Sequence, residues 1–384
     1  MATDFSVAVV GLGLVGSGAL RHAAAAGSVV GIGPGEPSDW SSHTGVFASH
    51  YDSGRVTRRL DIRRDWAILA SRAIDQYPLI ERQSGVTFHH PVGMSFVRND
   101  REGIEQQRKV AADLGIAIDD GPAPLPYRFP TGWTCLSEPA PAGYIDPRKM
   151  IEAQLAAARG AEIVREEVRS ITRTSGGFRL RAATGIEVTA EQVIVATGSY
   201  GNHFTERPLA VSIRSEAVIL CEVDQDTAES LVMPTAIWII DHPELNDIYV
   251  VPPVQYPDGR WYLKVGGDWG PGPRLDSEAS RLAWMTGADA DDRLDMMRRV
   301  VEEMLPDVPF TSFSMKPCVI ADTATGLPFV GIVDDGRVVA RGGNGHAAKS
   351  GDAIGALAVS LATNGEWTDP DLDEAVFQPR FHDP

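Results

Sequence analysis

Phe5-Ser-Val-Ala-Val-Val-Gly11-Leu-Gly13-Leu-Val-Gly16 reads as a buried strand running into a glycine turn. In the spacing Gly11-x-Gly13-x-x-Gly16 the first glycine permits a tight turn, the second lets the backbone approach a pyrophosphate, and the third lets helix and strand pack closely. Val15 to Ala26 then reads as a helix ended by Gly27, and Ser28 to Gly33 as a second strand, which completes a βαβ unit. The helix N-terminus adds free N–H groups and about half a positive charge, so the unit predicts a bound dinucleotide. The acid that would bind the adenosine ribose is missing: the second strand ends Val29-Val30-Gly31-Ile32-Gly33, and Pro34 and Gly35 carry Glu36 beyond it.

Outward from this unit, 384 residues exceed the usual size of one domain, so two structural regions are expected. An apolar fraction of 43% with 23% charged residues excludes a disordered chain. The net charge of −17 disfavours nucleic acid and anionic membranes, which leaves a small-molecule partner and a monomer as the expectation. Cys135, Cys221 and Cys318 form no C-x-x-C pair, so neither a disulfide framework nor a zinc site is indicated, and a reducing cytoplasm is expected. Met1-Ala-Thr-Asp4 lacks a basic segment of the secretory kind, and no later run reaches membrane-spanning length. Neither H-E-x-x-H nor G-x-S-x-G occurs, so no metal site or serine nucleophile is expected, and His89-His90 reads as an edge-strand pair.

A helix is predicted around Asp61 to Tyr77, where Trp66, Leu69, Ala70, Ala73, Ile74 and Tyr77 keep helical spacing. Residues 82–141 are rich in Pro and Gly, with short strand-like runs. Helix returns at Pro147 to Ala158, and strands at Glu162 to Ile171, Phe178 to Arg181 and Val193 to Ala196. Ala217 to Glu222, Ala236 to Ile240, Ile248 to Pro252 and Arg260 to Gly266 predict an antiparallel sheet, with Pro257-Asp258-Gly259 as a hairpin turn. Finally, Arg337 to Arg341 reads as a strand, Gly342-Gly343-Asn344-Gly345 as a turn and Lys349 to Ala362 as a helix closed near Gly365.

Val193-Ile-Val-Ala-Thr197-Gly198 repeats the strand-to-glycine pattern of flavoproteins of the glutathione-reductase-like fold. From there the chain resembles, over almost its full length, monomeric sarcosine oxidase and its relatives, the N-methyltryptophan oxidases and fructosyl amino acid oxidases of the D-amino-acid-oxidase superfamily. Ser49-His50-Tyr-Asp-Ser-Gly-Arg55-Val-Thr-Arg58 is similar to that family's Ser-His-His-Gly-Asp-Thr-Arg-Ile-Ile-Arg. The resemblance implies an α/β fold in which a Rossmann-type FAD-binding domain (1–81, 142–207 and 311–384) carries an inserted antiparallel-sheet substrate domain (82–141 and 208–310).

It also implies roles. His50, Arg55, Val168, Thr197 and Gly198 would contact FAD. Arg58 would bind a substrate carboxylate, for which its planar, permanently charged fork is suited. Lys264, in Arg260-Trp-Tyr-Leu-Lys-Val-Gly266, would lie near flavin N5 and stabilise superoxide as oxygen is reduced. Read from the strand alone, Trp261, Leu263 and Val265 face one side, and Tyr262 and Lys264 a polar one. Cys318 is similar to the family cysteine joined to the flavin, with Lys316 placed to lower its thiol pKa; without the resemblance it reads as an ordinary buried thiol. Gly343-Asn-Gly345-His346-Ala-Ala-Lys349 is similar to the family's Gly-Phe-Ser-Gly-His-Gly-Phe-Lys, which sets Gly345 and His346 at the flavin and pairs Lys349 with Arg58. Tyr249 resembles an active-site tyrosine. Asp268 stands where relatives carry histidine, followed by Trp269 and Gly270, so the substrate pocket is expected to differ there.

The implied activity is FAD-dependent oxidation of a secondary amine in an N-methyl or glycated amino acid, with imine hydrolysis and reduction of O2 to hydrogen peroxide. A flavin dehydrogenase with another electron acceptor, an NAD(P)-linked dehydrogenase using only the first glycine turn, and a cofactor-binding regulator remain alternatives.

Overall fold

The computed structural model describes residues 3–121, 126–242, 245–268, 272–287 and 293–382; Trp269 and Gly270 lie outside them. The elements that build the site are, in chain order, β1 (Phe5–Val10), α1 (Leu14–Ala24), β2 (Val29–Ile32), β3 (Glu187–Val195), β4 (Val211–Val223), β5 (Leu245–Gln255), β6 (Trp261–Gly267), β7 (Ser312–Thr323), β8 (Arg337–Arg341) and α2 (Ala347–Asn364).

The first sheet has eight strands, and β2, β1, β3 and β8 form its parallel centre. Ile32, Val10, Val195 and Val339 stand side by side in register, so all four strands deliver their following residues to one edge at the same height. Ligands of open parallel sheets bind at that carboxyl edge. Helices α1 and α2 cross on one face of the sheet, close enough that a Cβ on Gly355 would lie 2.4 Å from the Ala19 nitrogen. Arg21 and His22 of α1 hold Asp352 of α2 at 2.8 and 3.2 Å, which fixes the pair polar end to polar end as well as by packing.

The second sheet runs β7, β4, β6, β5, Thr235–His242, Met94–Arg98, Thr134–Glu138 and Asp119–Gly121. It departs from the purely antiparallel expectation at one pair, since Thr235–His242 runs parallel to Met94–Arg98. Strands reached through long excursions of chain are free to enter a sheet in either direction. β7, expected with the FAD-binding segments, pairs along its length with β4 of this second sheet. The long helix spans Arg64–Ser84 rather than starting at Asp61, which precedes its N-cap Arg63 and pairs with Arg58 and Lys349. The segment between β2 and Arg55–Thr57 is largely irregular and fills the space between the two sheets, where Phe47 and Tyr51 join the core of the second sheet.

Candidate active site

At the carboxyl edge of the first sheet β1, β3 and β8 each give way to a glycine turn. A Cβ on Gly11 would lie 2.5 Å from the Ala196 carbonyl oxygen, and one on Gly16 only 1.7 Å from that of Gly11, so turn, helix and neighbouring strand touch backbone to backbone. Gly13 and Gly198 are the reverse: a Cβ on Gly13 meets nothing nearer than His50 Nδ1 at 3.5 Å, and one on Gly198 meets nothing within 4 Å. Both open on a cavity of about 480 Å3, within the range of small-molecule sites. Helix α1 starts there from Gly13 and α2 from His346, neither with a side-chain cap, so the free N–H groups and positive dipole ends of both helices belong to this cavity. An uncapped pair of helix starts beside open glycines fits the diphosphate of a dinucleotide.

Gly11, Gly13, His50, Arg55 and Val168 line this one cavity, as do Thr197, Gly198, Gly345 and His346, and it continues without interruption to Arg58 and Tyr249. Gly16, Lys264, Cys318 and Lys349 do not line it; they stand behind its wall. Glu36 is engaged elsewhere, in a two-pronged ion pair with Arg148 at 2.6 and 2.7 Å. Gly33 and Pro34 line the cavity where the ribose acid was sought.

Behind the wall the charges gather on two buried carboxylates that sequence reading missed. Asp52 accepts from Lys264 Nζ at 2.5 Å and the Tyr256 hydroxyl at 2.7 Å, with Arg55 Nε in ion-pair contact at 3.0 Å and Lys316 Nζ 3.9 Å away. Burial alone would raise its pKa, but Lys264, Arg55 and Lys316 together hold the carboxyl well below the usual carboxylate range. Lys264 also donates to the Gly54 carbonyl at 2.5 Å and is 1% exposed, so the strand face expected to be polar is a buried one. Burial pushes its ammonium down to about 8. Arg55 reaches onward and donates to Cys318 Sγ at 3.2 Å. The cation in contact with the thiol is Arg55; Lys316 donates to the Tyr51 carbonyl, lies over the Trp40 ring and acts on the thiol only through its field.

Asp61 is the second hub. It accepts from Lys349 Nζ at 2.7 Å, and Arg58 Nη2 and His346 Nδ1 each lie 3.4 Å from it. His346 stacks on Trp66 with ring centroids 4.6 Å apart. Arg58 lines the cavity and lies over the Phe96 ring, with its Nε buried and without a partner. Across from it the second sheet presents Glu216, Asp247 and Asp268 to the same cavity. Arg214 holds Glu216 at 2.8 Å and Asp322 at 3.1 Å, and Asn246 donates to Asp268 at 2.6 Å. Burial pushes Glu216 up to about 7 and raises Asp247. This end of the cavity therefore offers both signs of charge, an arrangement suited to a zwitterion.

Some signals were present in the sequence. Asp52 and Asp61 each stand three residues from an arginine singled out on other grounds, Arg55 and Arg58. Nothing local marked Glu216 or Asp247 as cavity residues: Asp247 is the one charge in its strand, and Glu216 shares its strand with Arg214 and Glu222.

The family described as FAD dependent oxidoreductase matches residues 6–361. Among solved structures the chain is similar to NikD, an amino acid oxidase essential for nikkomycin biosynthesis, at 18% identity over 99% of this chain and 98% of that one, with a TM-score of 0.76. It is similar to the fructosyl amine:oxygen oxidoreductase Amadoriase I from Aspergillus fumigatus at 16% identity, covering 98% and 90%, with a TM-score of 0.72. Glycine oxidase from Geobacillus kaustophilus gives 17% identity, full coverage of both chains and a TM-score of 0.71. At these identities the likeness is one of fold. No curated protein matches the sequence.

Proposed function

The chain belongs to the FAD dependent oxidoreductase family, and we propose that it oxidises the secondary amine of an N-substituted amino acid, N-methyl or glycated, passing the electrons to dioxygen. Bound FAD supplies the acceptor for a hydride from the carbon beside the amine nitrogen. The observation that carries the reading is Arg58, a buried guanidinium that lines the cavity beginning at the glycine turn. It anchors the substrate carboxylate, and Lys349 supports it through their shared partner Asp61. Tyr249, whose phenol burial keeps protonated, closes the far wall, and the imine that leaves is hydrolysed in water. Residues 1–81, 142–207 and 311–384 supply the cofactor's contacts, and 82–141 with 208–310 roof the substrate.

Cys318 is the attachment point of the flavin in this reading. Its sulfur accepts from the Arg55 guanidinium at 3.2 Å and stands just behind the cavity wall, next to Val319, which lines it. Acid-precipitated protein is then expected to stay yellow, and Cys318→Ala to release its colour into the supernatant; colour released from the unaltered protein contradicts the linkage.

One observation favours a second reading of the acceptor. Lys264, the cation expected to assist oxygen, is paired with Asp52 and does not line the cavity. Peroxide assay separates the two: an oxidase forms one peroxide for each amine consumed in air, whereas a dehydrogenase turns over with an artificial dye and forms almost none.

A further inference from the structure

Four arginines line the cavity: Arg55, Arg58, Arg214 and Arg341. The first three each have a carboxylate within ion-pair distance, namely Asp52, Asp61 and Glu216. Arg341 has none among the described residues. It is 3% exposed, and its guanidinium donates only to neutral acceptors, the Gly198 carbonyl at 3.1 and 3.2 Å and Asn202 Oδ1 at 2.5 Å. A buried charge without a counter-charge is costly, and carbonyl dipoles offset only part of that cost.

The register says where this charge sits. Val10, Val195 and Val339 are aligned across β1, β3 and β8, so Arg341, two residues on, leaves the sheet level with Leu12 in the glycine turn and with Thr197. It is two strands from that turn, about 10 Å, and its side chain reaches Gly198 at the end of the strand between them. Of the other basic groups near the turn, Arg165 and Arg281, whose charges are felt at His50 and Arg341, do not line the cavity. Arg148 is forked onto Glu36, and burial together with Arg148 and Arg55 pushes His50 down to about 3, leaving its ring neutral beside Gly13. On the cavity wall beside the turn, the start of α1, at about half a charge, and Arg341 are left to face the negative charges that a diphosphate diester brings.

We propose that Arg341 is the buried counter-charge of the FAD diphosphate, held on the crevice by Gly198 and Asn202. It explains why a strand that reads Arg-Val-Val-Ala-Arg ends in a charge beneath a roof of protein. It rests on FAD being the occupant, which the family match supplies.

The test is the dissociation constant for FAD, read by quenching of flavin fluorescence across a NaCl titration, in a Cys318→Ala background so that the cofactor exchanges. Arg341→Gln is expected to weaken FAD between about tenfold and about a hundredfold, the worth of one charge-assisted contact, and to flatten the salt dependence. Arg341→Lys is expected to keep most of that dependence, and riboflavin, which has the ring without the phosphates, to bind both variants as it binds the parent. Unchanged FAD affinity in Arg341→Gln overturns the proposal, and so does an equal weakening of FAD and riboflavin, the mark of a residue that merely pins Gly198. Should Arg341→Gln fail to fold, the parent decides: FAD affinity that falls with salt no more steeply than that of riboflavin overturns the proposal, and a steeper fall supports it.

Discussion

Gly16→Ala is expected to yield a protein that is both colourless and unstable, whereas Gly13→Ala should yield one that is colourless alone. The added Cβ at Gly16 would stand 1.7 Å from the Gly11 carbonyl oxygen, and 2.9 Å from its carbonyl carbon. Neither atom can retreat, because Gly11 is itself packed against the Ala196 carbonyl just beyond β3. Relief requires α1 to lift off β1, which opens the packing against α2 and destroys the turn. Overpacking of this kind costs about 1–3 kcal/mol or more, and the cofactor's own stabilisation of the fold is lost with it. At Gly13 the Cβ meets only a histidine edge at 3.5 Å, so the apoprotein is undisturbed, but the methyl occupies the approach of the diphosphate. The ratio of flavin to protein absorbance after purification, together with a melting curve, checks both. A yellow Gly16→Ala protein with the parent's melting temperature would refute this account of the turn.

The other large effect lies at Asp52. Asp52→Asn removes the one negative charge among Lys264, Arg55 and Lys316, and leaves Lys264 buried at 1% exposure with only the Gly54 carbonyl and a neutral amide. Breaking one side of a buried pair typically costs about 3–5 kcal/mol. Adding Lys264→Met should recover part of the loss, since it removes the most deeply buried stranded cation while Arg55 and Lys316 remain. The pH dependence has a definite sign. Burial lowers Lys264 and Lys349 from the ordinary 10.5 to about 8 in the folded chain. Between those values the unfolded chain binds more protons than the folded one, so these lysines make stability rise with pH across that window and lose the gain as pH falls through about 8. Asp52→Asn deepens the depression at Lys264 and should steepen the rise. Chemical denaturation at intervals from pH 7 to 10 tests this; an Asp52→Asn protein as stable as the parent at pH 7 contradicts the buried pair.

What was legible in the sequence divides along the range of the interactions. The βαβ unit and the terminal strand, turn and helix could be read because glycine spacing and apolar periodicity act within about a dozen residues. The edge along which Gly11, Thr197 and Gly345 meet followed from the strands being parallel neighbours. The hubs did not follow. Asp52 meets Lys264 across 212 residues and Asp61 meets Lys349 across 288, and no local pattern records such pairings. Lys264 shows the limit most clearly: alternation correctly set it opposite Leu263 and Val265, yet whether that face meets water depends on the irregular segment around Asp52 packing onto it. Arg341 was read only as the end of a strand, because its burial comes from Gly198 and Asn202, more than a hundred residues earlier.

One cavity is expected to hold FAD at the glycine turn and an amino acid's carboxylate at Arg58. Anaerobic mixing of the purified yellow protein with a panel of N-methyl and glycated amino acids, each beside its decarboxylated amine, tests it most directly. The account predicts that at least one amino acid bleaches the flavin while its decarboxylated amine does so far more slowly, and that Arg58→Met abolishes the difference. A flavin that no member of the panel bleaches, or that amine and amino acid bleach equally fast, would contradict it.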